Sequence, residues 1–592
     1  MALLRLAGFS GMWPIRDVRA LPDNAASYAM NVRADGGMYL KPARTHQLRV
    51  NVGLTTTFVY ALYQGTDPVT QPVFTNSFWW QHTDPFTDVV RSPLVNDSFQ
   101  RYYWASPSTG LKYAPKADII AGSTGLIAGL PVPPTTPGVT PPASACIAGD
   151  GECAAREAAS PRTTRSYVYT WINDYGEESQ PSPPGEGTGM IMNDAGNRIW
   201  QITNIQNCPA VAGGATYKEI RLYRTVTGLS GVTQYYKVVD LPPGPPGFTT
   251  SYLDSATDLQ ITGNVPLEST YYAGPPAGLQ GLAAMPNGIL VGWVGNTLYF
   301  SENYRPHAWP VEYQIAVEHP VVGLGVYGNT CVVCTTGNVF LVQGTKSAAL
   351  SLTKTDAMLS CVSKLSITAA PEGVYYASDE GLVLVGSQGI SIVTRELISR
   401  EQWQRDFQPN KIRAMYHNGE YIGAIHGTTG GFRFTPTNPS ALGVTWWGQA
   451  NEFPLNLNVE AQTGRAHMLA FNNTGATSVN LYEWEKADNP YQAMTWKSKE
   501  YQTPWPLNFR VGQAYFDVNY TIPLHLKIWA TLRGYPGTTS KTLIFDQTIT
   551  VSGQEFKLPS GFRADVWEVE LSGAAALESL LLATTTQELR GA

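Results

Sequence analysis

Residues 278–344 read GLQGLAAMPNGILVGWVGNTLYFSENYRPHAWPVEYQIAVEHPVVGLGVYGNTCVVCTTGNVFLVQG and hold two successive units of one kind. In the first, Gly281–Met285, Ile289–Val294 and Thr297–Ser301 are apolar runs separated by Pro286-Asn287-Gly288 and Gly295-Asn296. In the second, Val321–Val326, Thr330–Thr335 and Val339–Val342 are separated by Gly328-Asn329 and Gly337-Asn338. Short runs rich in Val, Leu and Tyr, joined by Gly-Asn or Asn-Gly, predict antiparallel hairpins. Repeated in tandem, they predict blades of a β-propeller.

Similar units follow downstream. Val362–Ala370, Gly373–Ala377, Gly381–Gly386 and Ile390–Thr394 form one. Ile412–His417, Tyr421–His426 and Gly431–Phe434 form another, and Leu455–Ala461, His467–Phe471 and Val479–Trp484 a third. Upstream, Phe58–Tyr63, Val73–Trp80, Arg101–Trp104 and Leu111–Tyr113 have the same style. A propeller commonly closes its ring with a segment from the other end of the chain, so residues 46–118 are expected to supply that closure. The count comes to about six blades.

The flanks differ. Residues 1–45 read as an extended N-terminal arm, with a short helical turn over Asn24–Met30 capped by Asp23. The stretch PVPPTTPGVTPPASA, residues 131–145, excludes helix and central strand and reads as a semi-rigid linker. Tyr167–Asn173, Trp200–Ile205, Glu219–Thr225, Tyr235–Asp240 and Thr249–Leu253 then predict a small β-sandwich. Its layout, YVYTWINDYGEESQPSPP with EIRLYRT and YYKVVDLP, resembles fibronectin type III-like domains, with Tyr223 and Tyr236 as core aromatics. From Trp496 the strands lengthen, and the alternation in Asp565–Leu571 predicts a half-exposed sheet in a C-terminal sandwich. The chain is thus expected to be all-β. The segments are 1–45 (arm), 46–130 (strands closing the propeller), 131–160 (linker), 161–270 (inserted sandwich), 271–495 (propeller) and 496–592 (C-terminal sandwich).

Composition agrees with many turns and flat aromatic surfaces: Gly 56, Pro 42 and 11% aromatic in 592 residues, a length that calls for several domains. The net charge is -6 with no basic tail, which argues against tight sequence-independent DNA binding. The start, MALLRLAGFSGMWPIR, does not read as a signal peptide, and no run has the length of a membrane helix.

Six cysteines are too sparse for a disulfide scaffold. Cys331 and Cys334 lie three apart in one predicted strand and face opposite sides, so they read as small core residues. Cys146 and Cys153 flank a Gly-rich turn and would pair if oxidised; in a protein assembled in the cytosol, free thiols are expected. The eight histidines are scattered, and the one spaced pair, His417 and His426, straddles a hairpin. Ser378-Asp379-Glu380-Gly381 resembles an Asp-box turn, but a hairpin turn explains it fully. Glu177 and Glu178 are expected in an exposed loop. Motifs for a serine nucleophile, a phosphate loop or a zinc protease are absent. No enzyme, catalytic residue, cofactor or metal is therefore expected.

One family resemblance spans most of the chain. LYFSENYRPHAWP followed by HPVVGLGVYGNTCVVCTTGNVFLVQG looks like the propeller of nozzle, or tail tubular, proteins of short-tailed bacteriophages. The opening LPDNAASYAMNVRADGGMYLKPAR, with Gly37, Leu40, Pro42 and Arg44, is similar to theirs. FQRYYWASPSTGLKYAP and LPSGFRADVWEVELSG share the same style. The resemblance implies a virion structural protein of the tail, assembled in the host cytoplasm. It would form a hexameric ring below the portal and adaptor proteins, carry tail fibres or spikes outside, and pass double-stranded DNA without binding it specifically. The loops of such a lumen are expected to be acidic or neutral. The competing reading is a carbohydrate-binding or glycan-cleaving propeller.

Overall fold

The computed structural model describes residues 3–35, 39–63, 77–209, 217–227, 233–460, 462–474, 477–516, 523–533 and 539–590. Gly37, the start of the expected run Val73–Trp80 (residues 73–76) and the end of Leu455–Ala461 (residue 461) lie outside the described residues. The chain is all-β and divides into two compact units. One comprises Met1–Phe86, His319–Leu341 and Thr353–Ala592; the other comprises Thr87–Glu318 and Val342–Leu352. The stretch quoted first is split between them. Among the described residues no helix is long and apolar enough to cross a membrane.

In the larger unit, the hairpin Val321–Tyr327/Thr330–Thr335 turns through Gly328 at φ 51°, the left-handed conformation that a tight two-residue turn needs. Thr368–Ala370, Gly373–Ser378, Gly381–Gly386 and Gly389–Ile392 form a four-stranded antiparallel meander, with Asp379 and Glu380 in a plain hairpin turn. Glu452–Val459, Ala466–Asn472 and Ser478–Glu483 form another, whose fourth strand is Gln47–Val52 from the far end of the chain. The meander Ile412–His417, Glu420–Ile425, Gly430–Phe434 and Val444–Gly448 does not stop at four. It continues through Ala26–Met30 into Met494–Ser498, Ala564–Gly573, Leu524–Arg533 and Thr539–Ile549.

Residues 24–30 are therefore not a helical turn. Ala26–Met30 runs antiparallel to Met494–Ser498 on one side and meets Trp446 in parallel register on the other. A segment with strand partners on both edges satisfies its N–H and C=O groups without a helix, and this outweighs its local alanine-rich preference. Nor are residues 1–45 a free arm. Leu3–Ala7 pairs with Leu577–Ala583, and the hairpin Val32–Asp35/Tyr39–Pro42 joins the same strand. The C-terminal strands form two sheets over one core, in which Leu580 and Leu582 face Leu526, Ile528, Trp567 and Val569. Phe9 stands edge-on to Trp496 at 5.1 Å, and the Trp496 indole donates to the Ser10 carbonyl at 3.0 Å.

In the smaller unit, Asp88–Arg91, Arg101–Ser106, Gly110–Pro115 and Leu126–Ile127 form a four-stranded sheet of their own. A second is built from Gln280–Met285, Ile289–Val294, Thr297–Phe300 and Gln314–Ala316. In it Gly281 (φ 69°) lies under the Trp293 ring, where a Cβ would come within 1.3 Å of the indole. Further sheets of four strands (Gly185–Met190, Arg162–Asn173, Tyr217–Thr227, Thr233–Leu241) and three (Gly138–Thr140, Trp200–Gln206, Thr249–Asp254) share a core of Tyr167, Tyr169, Trp171, Trp200, Ile202 and Leu222.

The proline-rich stretch belongs to that sandwich. Gly138–Thr140 pairs with Trp200–Gln206 as an edge strand, the position where flanking prolines cost no ladder bond. Its Pro137, Val139 and Pro141 press on Gly185, Gly187 and Gly189, where any Cβ would meet them within 2.7 Å. The helix Gly151–Ala159 follows, with Cys146 and Cys153 joined as a disulfide rather than left as free thiols. The turn between them brings their Cα atoms to 5.6 Å, within bridging range. Tyr223 is buried, but it lies on the sheet face opposite Leu222 and its hydroxyl donates to Glu178 at 2.7 Å. Tyr236, expected in the core, is half-exposed: it stands opposite Arg224 on the core-side face, but its strand, Thr233–Leu241, is the edge of the sheet and leaves it partly uncovered.

The weave makes one residue a measure of the larger unit. Trp496→Ala removes a fully buried indole and its bond to Ser10, and is expected to cost about 3–5 kcal/mol, read as a lowered denaturant midpoint of that unit's transition.

Candidate functional site

The smaller unit contains a buried ionic cluster beside a groove. Arg101 opens the strand Arg101–Ser106, whose residues are all buried. Its Nε donates to Asp97 at 2.9 Å and its Nη1 to Glu177 at 2.5 Å. The guanidinium lies 4.9 Å from the Tyr175 ring centre. Arg101, Glu177 and His307 are 2%, 5% and 6% exposed, so the cluster is closed to bulk water.

Glu177 is thus not in a solvated face. Asn173 ends a strand and its side-chain oxygen accepts from the backbone N–H groups of Tyr175 and Glu177, at 3.0 and 2.9 Å. Its amide donates to the other Glu177 oxygen at 2.8 Å. This tight Asx-type loop aims the Glu177 carboxylate inward. Glu178 points the other way, half-buried, to Thr170, Tyr223 and Arg221.

Burial opposes the Arg101 charge, but Tyr103, Glu177 and Asp97 outweigh it and raise its pKa. For Asp97, burial is likewise overcome by the Arg101 bond, and its pKa falls. Burial, aided by Arg305 and Arg101 and opposed by Glu177, lowers the His307 pKa and keeps the ring neutral. His307 Nδ1 lies 3.7 Å from Glu177, beyond hydrogen-bond range, and neither ring nitrogen has a hydrogen-bond partner among the described residues. The Tyr103 hydroxyl likewise has no partner among the described residues.

The groove, about 730 Å³, runs past Lys112, Tyr113, Ile127, Asn173 and Tyr217. Tyr113 and Asn173 connect it to the cluster: Tyr113 stacks on Tyr103 at 5.6 Å. His307 and Glu177 do not line it, so their proton chemistry has no route to a molecule held there. The arrangement is a latch that fixes the 173–177 loop on the strand beginning at Arg101.

The residues singled out in the sequence are dispersed. His417 pairs with Glu420 at one end of a hairpin, and His426 follows the other end. Cys331, Cys334 and Cys361 are buried free thiols. Glu157 approaches the sulfurs of Cys146 and Cys153, but the disulfide removes both as thiolate ligands. Arg44 donates to the Asn489 carbonyl at 2.7 Å and to the Tyr491 hydroxyl at 2.8 Å, a tie within the larger unit. That unit has its own latch: buried Arg433 bonds to Glu420 and Glu485, beside His46 stacked on Trp484 at 4.2 Å. Burial and Arg433 push His46 down to about 3. The Arg101 latch had a trace in the sequence, a lone arginine opening the aromatic run RYYWAS; nothing local marked Glu177 as its partner.

No protein-family model and no curated protein matches the chain. Among solved structures, BamB from Moraxella catarrhalis aligns with 50% of this chain and 95% of its own, at 12% identity and a TM-score of 0.19. PorZ, a surface component of the type-IX secretion system of Porphyromonas gingivalis, aligns with 56% of this chain and 41% of its own, at 8% identity and a TM-score of 0.22. Scores at this level carry neither a fold nor a function.

Two outcomes follow from the buried charges. Arg101→Ala leaves Glu177 buried without its cation and is expected to destabilise the smaller unit by about 3–5 kcal/mol, with faster proteolysis of the 173–177 loop. In the larger unit burial raises the Glu460 pKa from 4.5 to about 7, against Thr463 and Arg465. A raised carboxyl pKa means the folded chain holds the proton longer than the unfolded chain. Its stabilisation is present below the ordinary value and is lost as pH rises through about 7. Glu460→Gln should raise the melting temperature relative to wild type at pH 8 and leave it unchanged at pH 4.

Proposed function

We propose that the chain is the nozzle subunit of a short-tailed bacteriophage tail. In this reading copies of it, six by resemblance, form a ring below the portal and adaptor that conducts double-stranded DNA during ejection. The observation that carries the reading is the series of four-stranded antiparallel meanders, in the order in which the resemblance places them. They are the sheets starting at residues 88, 280, 321, 368 and 452 and the first four strands of the larger sheet starting at 412, taken as about six propeller blades. The sandwich over 138–254 is the inserted fibronectin type III-like module, and the strands after 494 form the C-terminal sandwich.

Charge supports the reading. Each copy carries a net -6, and a ring multiplies it. An acidic or neutral lumen repels the DNA backbone, whereas a basic one would hold phosphates through counterion release and slow transit. The buried latches suit a part that must keep its shape under load, since each holds a loop through several convergent bonds rather than one.

The test is assembly. Sedimentation and negative-stain imaging of the purified chain, alone and with an adaptor ring, should show a hexamer of 64.5 kDa subunits around an open channel. A chain that stays monomeric under both conditions overturns the reading.

A further inference from the structure

In the larger unit a pocket of about 350 Å³ opens beside the strand Tyr501–Leu507, YQTPWPL. Trp505 lines it and is 60% exposed, an unusual state for a tryptophan. The strand leaves its ladder at this point: Tyr501 and Gln502 pair with Trp567 and Val566, and pairing resumes only at Leu507 with Ala564. Within the gap, the Thr503 hydroxyl bonds to the Trp505 carbonyl at 2.9 Å and to the Asp565 carbonyl at 3.3 Å. Pro504 and Pro506 fix φ on both sides of the indole. The ring is held out in solvent on a stiff mount.

The rest of the wall is mixed: Leu3, Leu4, Leu507 and Phe509 form its apolar part, and Asp23, Lys499 and Gln502 its polar part. Lys499 Nζ meets the Asp23 carboxylate at 2.5 Å and the Leu21 carbonyl at 3.0 Å, and the Tyr501 hydroxyl donates to the Asp23 carbonyl. The Asp23 side chain is 83% exposed and uses one oxygen for the lysine; the other meets no donor among the described residues. Gln502 is exposed, and its amide makes no bond to another described residue. Paired with Asp23, Lys499 brings no net charge.

We infer that this pocket binds a neutral pyranose oligosaccharide whose ring substituents are equatorial. Such a ring presents a flat C–H face to an indole, whose π-surface is electron-rich, and a rim of hydroxyls that both donate and accept. Asp23 supplies an acceptor, Lys499 a donor, and Gln502 one of each. The volume is at the small end for ligand sites, which begin near about 300 Å³. Two other occupants fit less well. A peptide added as a strand needs regular N–H donors, and Pro504 and Pro506 remove them on either side of Trp505. A protein hot spot surrounds its tryptophan with groups that desolvate fully, whereas here the exposed Asp23 carboxylate and Gln502 amide stand beside the apolar part of the wall. The inference does not rest on the nozzle reading.

The test is calorimetric titration of the full chain with cellotetraose and with chitotetraose. At least one should bind saturably with a dissociation constant of about 0.1–1 mM. Trp505→Ala should weaken it about tenfold or more, and Gln502→Ala about threefold, with melting temperatures unchanged because both side chains are exposed. If Trp505→Ala folds poorly, Gln502→Ala alone decides. No heat from either sugar up to about 10 mM overturns the inference, as does wild-type affinity in the variants. A Trp505→Ala chain that changes its oligomeric state while the wild type binds neither sugar also overturns it, and gives the pocket to a protein contact.

Discussion

The larger unit depends on backbone hydrogen bonds between the start of the chain and its end. Leu577–Ala583 is bonded to Leu3–Ala7, Tyr39–Pro42 and Val511–Phe516, and Met494–Ser498 is bonded to Ala26–Met30. Without the first 52 residues, several C-terminal strands and the sheet of Ser478–Glu483 would expose unpaired edges, which invite aggregation. Closing contacts separated by more than 400 residues are slow to form, because the chain entropy is lost before the contacts repay it. In return, the end strands cannot fray one at a time. Trp496, bonded to Ser10 and packed on Phe9, ties the two ends in one core.

Buried charge does a second kind of work. Arg101 and Arg433 each sit among carboxylates with almost no access to water. Such pairs add little net stability over an apolar replacement, because desolvation offsets most of the attraction. Their effect is on choice of structure: a register or loop position that separates the charges would leave one of them buried alone. Asn173 sharpens this by holding the 173–177 loop in the one shape that aims Glu177 at Arg101.

Local signals were strongest where a turn and its two strands lie within a dozen residues. The Gly328-Asn329 hairpin, the Arg101–Ser106/Gly110–Pro115 pair and the C-terminal strands were legible because alternation and turn chemistry act over that range. Residues 24–30 misled for the complementary reason: their local preference was weak, and partners near residues 446 and 496 decided the outcome. Glu177 misled because adjacent carboxylates look solvated in any sequence, and the arginine that buries one of them lies 76 positions away. The Trp505 pocket could not be read from YQTPWPL either, since its acceptor, Asp23, comes from the other end of the chain.

By itself, the sequence determined an all-β chain, most of its strands, the turns between them and the burial of Cys331 and Cys334 on the two faces of their strand, all properties of short-range periodicity and steric preference. Only the tertiary structure decided which strands pair across the chain, that the proline-rich stretch is a sheet edge, that Cys146 and Cys153 are joined, and which charges are buried. Those outcomes depend on burial and on partners distant in sequence, and neither is encoded in any one stretch.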